Sequence, residues 1–254
     1  MITFSKPKPK TGESWIEIPG GYKATRKWAP QIGDIFPNFS LPSPDGTITF
    51  HNWAEGRWTV LSSHTAPFSP VCTSELMSLA LLQAEFEKAG FSVMSLTVGG
   101  VNTVSRWITD IEKRFDLSVD FPVLCDREGT LVKDMGLIHP KNIPGMTIRK
   151  SFVIDPGLRV RLMFDFPAKI GRSFEELLRC GQALRISDHT SMAVPADWTT
   201  GDPLMPGPDI SDEELDKRYG TIWTKLGDYL RIVPMPEAAP VTPLMVPRPS
   251  IAAE

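Results

Sequence analysis

The chain has 254 residues, 41% of them hydrophobic and 22% charged, which is enough apolar material for one sizeable core plus additions. Its formal net charge of -3 gives no electrostatic reason to expect a nucleic-acid or polyanion partner. No stretch approaches the roughly 20 apolar residues of a membrane span, and the basic start MITFSKPKPK lacks the apolar run of a secretory leader.

Residues 1–30 carry Lys, Pro and the turn-prone Pro19-Gly20-Gly21 without a sustained period, and read as an N-terminal extension. Regular patterning starts near residue 32. Ile48 and Phe50 alternate with Thr47 and Thr49 after a Pro44-Asp45-Gly46 turn, which predicts a strand. Residues 58–63 form a short β-prone run. A long helical pattern follows the segment His64–Cys72 and ends at Gly90, with Leu76, Leu79, Ala80, Gln83, Phe86 and Glu87 at helical steps. A strand over 91–98 precedes a helix over 102–115, where Val104, Trp107, Ile108, Ile111 and Phe115 recur at three and four residues. Next come a strand over 121–125, a short helix near 129–135, a hairpin over 151–155 and 160–164, and a helix from Ser173 to Leu184.

This alternation predicts an α/β fold with a mixed central sheet covered by helices, most simply a thioredoxin-like one, over residues 31–189. Past about residue 190 prolines rise. Asp212, Glu213 and Glu214 open one short acidic helix, as a helix N-terminus favours. Residues 190–236 read as a small C-terminal domain, and the Pro- and Ala-rich residues 237–254 as a disordered tail.

The three cysteines, Cys72, Cys125 and Cys180, are too sparse for a disulfide scaffold and suit a reducing compartment, so a cytoplasmic location is expected. No C-x-x-C pair exists, which argues against a dithiol oxidoreductase and a zinc knuckle, and the histidines show no metal-ligand spacing. A lone cysteine is usually a small buried hydrophobe. That reading suits Cys125 in its apolar strand and Cys180 beside the stripe of Phe174, Leu177, Leu178, Gly181 and Leu184; both are expected to be buried. Cys72 differs. Ser69 is a preferred N-cap, Pro70 suits the first helical position, and Cys72 falls in the first turn, where the helix dipole favours a thiolate.

Here the chain resembles the peroxiredoxins, whose pattern Pro-x-x-x-Thr/Ser-x-x-Cys is commonly read as His-Pro-x-x-Phe-Thr-Pro-Val-Cys-Thr-Thr-Glu. This chain has His64, Thr65, Pro67, Phe68, Ser69, Pro70, Val71, Cys72, Thr73, Ser74 and Glu75 in that register. The run from Gly145 to Arg149 before Phe152–Asp155, the run from Pro167 through Arg172, and Val194–Trp198 before Gly201-Asp202 resemble the same family in the same order. The last belongs to the one-cysteine subgroup with an extended C-terminal domain.

The resemblance implies a thiol-dependent peroxidase that reduces hydrogen peroxide or alkyl hydroperoxides, with no metal or cofactor, and that forms a homodimer or higher oligomer. It implies Cys72 as the peroxidatic thiol, Ser69 as the hydroxyl that holds the peroxide and the sulfur, and Arg149 as the guanidinium that stabilises the thiolate and polarises the peroxide. Glu75, Arg172 and His64 match the supporting network. The motif proline that shields the cysteine is Thr65 here, with Pro67 two residues on. That exchange removes a shield but no group that performs chemistry. Some relatives in this subgroup carry a Ser-His-Asp phospholipase site. His51 matches its histidine, but Arg57 and Gly157 stand at the serine and aspartate positions, so no lipase activity is expected by that route.

The region after 190 holds no cysteine, which favours a one-cysteine cycle with an external thiol reductant over resolution by Cys125 or Cys180. The alternative function is a weakly active redox sensor or chaperone-like relative, motivated by Thr65 and the N-terminal arm.

Overall fold

The computed structural model describes residues 29–138 and 147–236. The expected N-terminal extension, apart from its last two residues, and the expected disordered tail lie outside the described residues.

The chain opens with a hairpin of β1 (Ser40–Ser43) and β2 (Gly46–Thr49), followed by a short helix α1 (Phe50–Ala54). The alternation through Phe50 predicts strand there, but the strand stops at Thr49. Phe50 is fully buried, stacked on Phe39 and against Phe36, and this contact turns the chain into α1. β3 (Trp58–His64), α2 (Pro70–Lys88), β4 (Phe91–Thr97), α3 (Val101–Phe115), β5 (Val123–Cys125) and α4 (Thr130–Asp134) follow as expected. Gly90, at φ 77°, takes the left-handed turn that ends α2 and that a side chain would resist. β6 (Arg149–Ile154) and β7 (Val160–Phe166) form the predicted hairpin.

The next helix, α5 (Phe174–Thr190), runs well past Leu184. Its added turns carry Ile186 away from the sheet into a second cluster with Met192, Trp198, Leu204, Ile210, Leu215 and Val233. That cluster holds α6 (Asp212–Tyr219) and a small hairpin, β8 (Thr224–Gly227) and β9 (Leu230–Ile232). β8 shows no apolar alternation, and β9, Leu230-Arg231-Ile232, is too short at three residues to reveal the hairpin in sequence.

The five-stranded sheet has the order β5-β4-β3-β6-β7. β3 runs parallel to β4 and β4 to β5, while β6 is antiparallel to β3 and to β7, so the sheet is mixed as expected. Every residue of the central β3 is buried, which explains its near-continuous apolar start. Alternate rows feed two cores. Val60, Val93 and Val153 face Leu76, Leu79 and Phe86 of α2, Trp107 and Ile111 of α3, and Leu177 of α5. Leu61, Met94 and Phe152, one residue along, face Phe36, Phe50 and Val132.

The first face changes character along the strands. Val93, Val60 and Val153 lie side by side; two residues on lie Ser95, Ser62 and Ser151; then His64 ends β3 beside Thr97. The polar site grows from this gradient at the C-terminal end of the parallel strands, where α/β proteins commonly bind ligands.

Helix α5 reaches the sheet through Gly181, where a Cβ would come within 2.8 Å of the Phe91 ring. That ring is 2% exposed and wedged against Trp58 and Phe86, so it cannot yield. Gly181→Ala should therefore destabilise the protein by about 1 kcal/mol in urea unfolding, overpacking of about 1–3 kcal/mol outweighing a helix-propensity gain of about 1. A stabilised variant would show that α5 is free to move off the sheet.

Candidate active site

The site is built at this end of β3. Ser69 occupies the N-cap of α2 with extended backbone, and Pro70 starts the helix, so Cys72 lies in the first turn as expected. Thr73 N–H donates to Ser69 O at 2.8 Å, closing that turn. The Ser69 hydroxyl makes no capping hydrogen bond. The hydroxyl that reaches the sulfur is Thr65: its Oγ1 lies 3.1 Å from Cys72 Sγ. Between them Phe68 sits at φ 60°, in the left-handed region that costs a bulky side chain about 1–2 kcal/mol.

Cys72 and Glu75, three residues apart, share the inner face of α2. The Glu75 carboxylate is the anchor. Arg149 Nη1 donates to Oε2 at 2.7 Å. Arg172 donates its backbone N–H and Nε to Oε1, at 3.0 and 2.9 Å, and Nη2 to Oε2 at 2.8 Å. His64 Nδ1 lies 3.2 Å from Oε2 and Nε2 lies 3.1 Å from Ser95 Oγ; a carboxylate only accepts, so Nδ1 carries the proton of that contact. The side chains of His64, Glu75, Arg149 and Arg172 are at most 2% exposed.

Arg149 starts β6, whose antiparallel register pairs Ser62 with Ser151 and so brings Arg149 beside the end of β3. Its Nε donates to Ala168 O at 2.9 Å, and Nη1 also donates to Cys72 Sγ at 3.3 Å. Arg172 is tied further, through Nη2 to Ser63 O at 2.8 Å and through Nη1 to Lys150 O and Ser151 Oγ, both at 3.1 Å. The structure thus gathers Cys72, Thr65, Glu75, His64, Arg149 and Arg172, all named from the sequence, into one buried network. Ser95, Ser63 and Ala168 join it without any sequence signal. Ser63 and Ala168 contribute backbone oxygens, and Ser95 sits at an inward-facing strand position.

The charges in this network do not cancel without the sulfur. Two guanidiniums face one carboxylate. Burial pushes the Cys72 thiol up, but the adjacent His64 ring, the Ala66 backbone N–H and the Thr65 hydroxyl outweigh it and lower it to about 5. Burial likewise opposes ionisation of Glu75, yet His64 and Arg172 hold its carboxyl well below the usual range. The other thiols go the opposite way. Burial raises Cys125 to about 11. Burial, then the Glu176 carboxylate, raises Cys180 to about 11. Cys180 is half-buried, not buried as its stripe suggests: α5 turns that edge outward, and Sγ donates to Glu176 Oε1 at 3.2 Å.

His51 lies apart from this network, with Nε2 2.7 Å from Phe36 O. Arg57 sits over the Trp53 ring, and Gly157 N donates to Asp155 Oδ1 at 2.9 Å within a turn.

Two family models match the chain: the AhpC/TSA family over residues 32–163 and the C-terminal domain of 1-Cys peroxiredoxin over residues 183–221. The chain is 34% identical over 206 residues to a 1-Cys peroxiredoxin of Dictyostelium discoideum, covering 81% of this chain and 86% of that one. It is 33% identical over 219 residues to peroxiredoxin-6 of Gallus gallus, covering 81% and 98%. Among solved structures, a cysteine-to-serine mutant of peroxiredoxin 6 from Arenicola marina superposes with a TM-score of 0.76 at 30% identity, over 82% of this chain and 99% of that one. Yeast mitochondrial 1-Cys peroxiredoxin superposes with a TM-score of 0.73 at 30% identity, over 80% and 99%. The likeness runs through the central sheet and helix α2, which carries Cys72, and on into the segment after α5, and so the chain belongs to the AhpC/TSA family, as a thiol peroxidase of the one-cysteine peroxiredoxin type.

Proposed function

We propose that Cys72 is the residue with which this peroxidase attacks its peroxide, and that the oxidised sulfur is returned to thiol by an external reductant. One observation carries the reading: Cys72 Sγ lies 3.3 Å from Arg149 Nη1, inside a network whose fixed charges favour the thiolate.

A lone pair of the Cys72 thiolate attacks the terminal oxygen of R–O–O–H. The S–O bond forms, the O–O bond breaks, and the leaving R–O⁻ takes a proton to give an alcohol, or water when R is hydrogen. Sulfur is oxidised by two electrons to sulfenic acid. Arg149 holds the thiolate and faces the charge that grows on the leaving oxygen. Glu75 positions Arg149, while Arg172 and His64 position Glu75. Ser69, the N-cap of α2, would supply a hydroxyl to the peroxide.

One molecule of a thiol then attacks the sulfenic acid, releases water and leaves a mixed disulfide; a second displaces it as a disulfide and restores Cys72. Cys125 and Cys180 are poor candidates for resolving it, because both thiols are held at about 11. The yeast relative's thiol is resolved through glutathione and thioredoxin systems, which makes such small thiols or dithiol proteins the class to test here. The suppressed thiol pKa and paired donors support a working peroxidase over a weakly active sensor. Residues 31–189 would form the peroxidase domain and 190–236 a small domain that shares an apolar cluster with the end of α5. Free thiols at all three cysteines support a cytoplasmic setting, and the assembly would be a homodimer or larger. Among the described residues no helix is long and apolar enough to cross a membrane.

Peroxide consumption with several thiol reductants tests the assignment. Cys72→Ser should abolish it, while Cys125→Ser and Cys180→Ser should keep most of it. Equal activity in wild type and Cys72→Ser would end the reading, and a Cys72–Cys125 or Cys72–Cys180 disulfide in mass spectra of peroxide-treated protein would overturn the external cycle.

The folded Cys72 thiol lies below the ordinary value of about 8.5. Its ionisation therefore adds stability that is complete above that value and is lost as pH falls through about 5. The rate of peroxide reaction should fall with the same midpoint, without a step near pH 8; a midpoint there would show an unactivated thiol. Glu75→Gln leaves two buried guanidiniums without their carboxylate and should cost about 3–5 kcal/mol in chemical unfolding.

A further inference from the structure

We propose that Thr65 is a catalytic residue of this enzyme: its hydroxyl, standing where the family pattern has a shielding proline, donates to the Cys72 sulfur and sets the balance between ionisation of the thiol and the force of its attack. The inference rests on Cys72 being the attacking sulfur.

A proline there offers no side-chain donor, whereas Thr65 Oγ1 lies 3.1 Å from Sγ. Thr65 is 5% exposed and Cys72 0%, so the contact is shielded from bulk solvent. His64, next in the chain and fully buried between Glu75 and Ser95, fixes the backbone that carries the hydroxyl. Pro67 does not take over the lost position. It packs on Gly99, so closely that a Cβ there would lie 2.9 Å from its Cγ. Thr65 thus both covers the sulfur and touches it.

A thiolate only accepts, so in the reactive form the hydroxyl donates. The titratable and charged groups around the sulfur come from other elements: His64 from the end of β3, Arg149 from β6, and behind them Glu75 from α2 and Arg172 from the chain before α5. Thr65 is the neutral side-chain donor among them, beside the Ala66 backbone N–H.

Its effect differs from that of Arg149. Charge leaves the sulfur and appears on the departing oxygen during attack. A hydroxyl bound to sulfur alone therefore stabilises the starting thiolate more than the transition state. It raises the ionised fraction and lowers the intrinsic nucleophilicity, by about threefold per pKa unit at a Brønsted slope of about 0.4–0.5. At neutral pH, with the thiol titrating at about 5, ionisation is complete and the hydroxyl only restrains attack. In acid it keeps thiolate present. Thr65 trades speed at neutral pH for activity at low pH.

The test uses the full chain and compares wild type with Thr65→Val, Thr65→Ser and Cys72→Ser, reading the ultraviolet thiolate absorbance and single-turnover oxidation by hydrogen peroxide across pH. For Thr65→Val the thiolate midpoint should rise by about one unit, the reaction should be about threefold faster near pH 8 and about two- to threefold slower near pH 4.5, and the two profiles should cross near pH 5.5. Thr65→Ser, which keeps the hydroxyl, should bring midpoint and crossing back. Thr65→Ala repeats the measurement without requiring a second methyl to fit. An unmoved midpoint, or slowing by one factor at every pH, overturns the proposal. Activity surviving in Cys72→Ser would instead sink the assignment of Cys72, whatever Thr65 does.

Discussion

The site depends on one carboxylate. Glu75 lies on the buried face of α2 and accepts from Arg149, Arg172 and His64 at 2.7–3.2 Å. Two guanidiniums at most 2% exposed could not stay in the interior otherwise, since an unpaired buried charge costs several kcal/mol. With Glu75 in place, each arginine also ties a strand or loop to the helix: Arg149 reaches Ala168, and Arg172 reaches Ser63, Lys150 and Ser151. One side chain thereby joins α2, β3, β6 and the chain leading into α5.

The donors around the sulfur explain why the Cys72 thiol is lowered while the other two thiols are raised. Burial by itself raises a thiol pKa, as Cys125 shows. Cys72 is more buried than Cys180 yet shifts the opposite way, because its neighbours are donors where Cys180 faces the Glu176 carboxylate. The sheet makes this possible. Its inner face passes from valines through a serine row to His64 and Arg149 within a few residues, so the apolar core and the charged site share the same strands. The core supplies the rigidity and the strand ends supply the chemistry.

The loop between β3 and α2 shows how a departure from a family pattern can carry meaning. Viewed as a sequence change, proline to Thr65 is a lost shield. In three dimensions it places a hydroxyl on the Cys72 sulfur and leaves Pro67 to pack on Gly99. The left-handed Phe68 and the uncommitted Ser69 hydroxyl belong to the same turn. The loop's geometry is set less by its own propensities than by the fixed ends it joins, the buried His64 and the first turn of α2.

Much was legible from the chain alone. Period-3.6 patterning marks the helices α2, α3 and α5, because each buries one regular face, and short β-prone runs mark β3, β4 and β6, which are buried on both faces. The capping signature and motif around Ser69 and Pro70 mark Cys72 as the candidate nucleophile, since helix-start chemistry is local. Short hairpins such as β8 and β9 escape, for they are held by neighbours and not by their own pattern. The end of α5 escapes too, because Ile186 answers to a cluster formed by residues far along the chain. The sequence by itself determined the family, the order of the central elements from β3 to α5 and Cys72 as the candidate nucleophile. Only the tertiary structure decided which hydroxyl touches the sulfur and how one carboxylate holds two arginines, because those contacts join residues from separate strands, a helix and loops, and distance in space is not written in spacing along the chain.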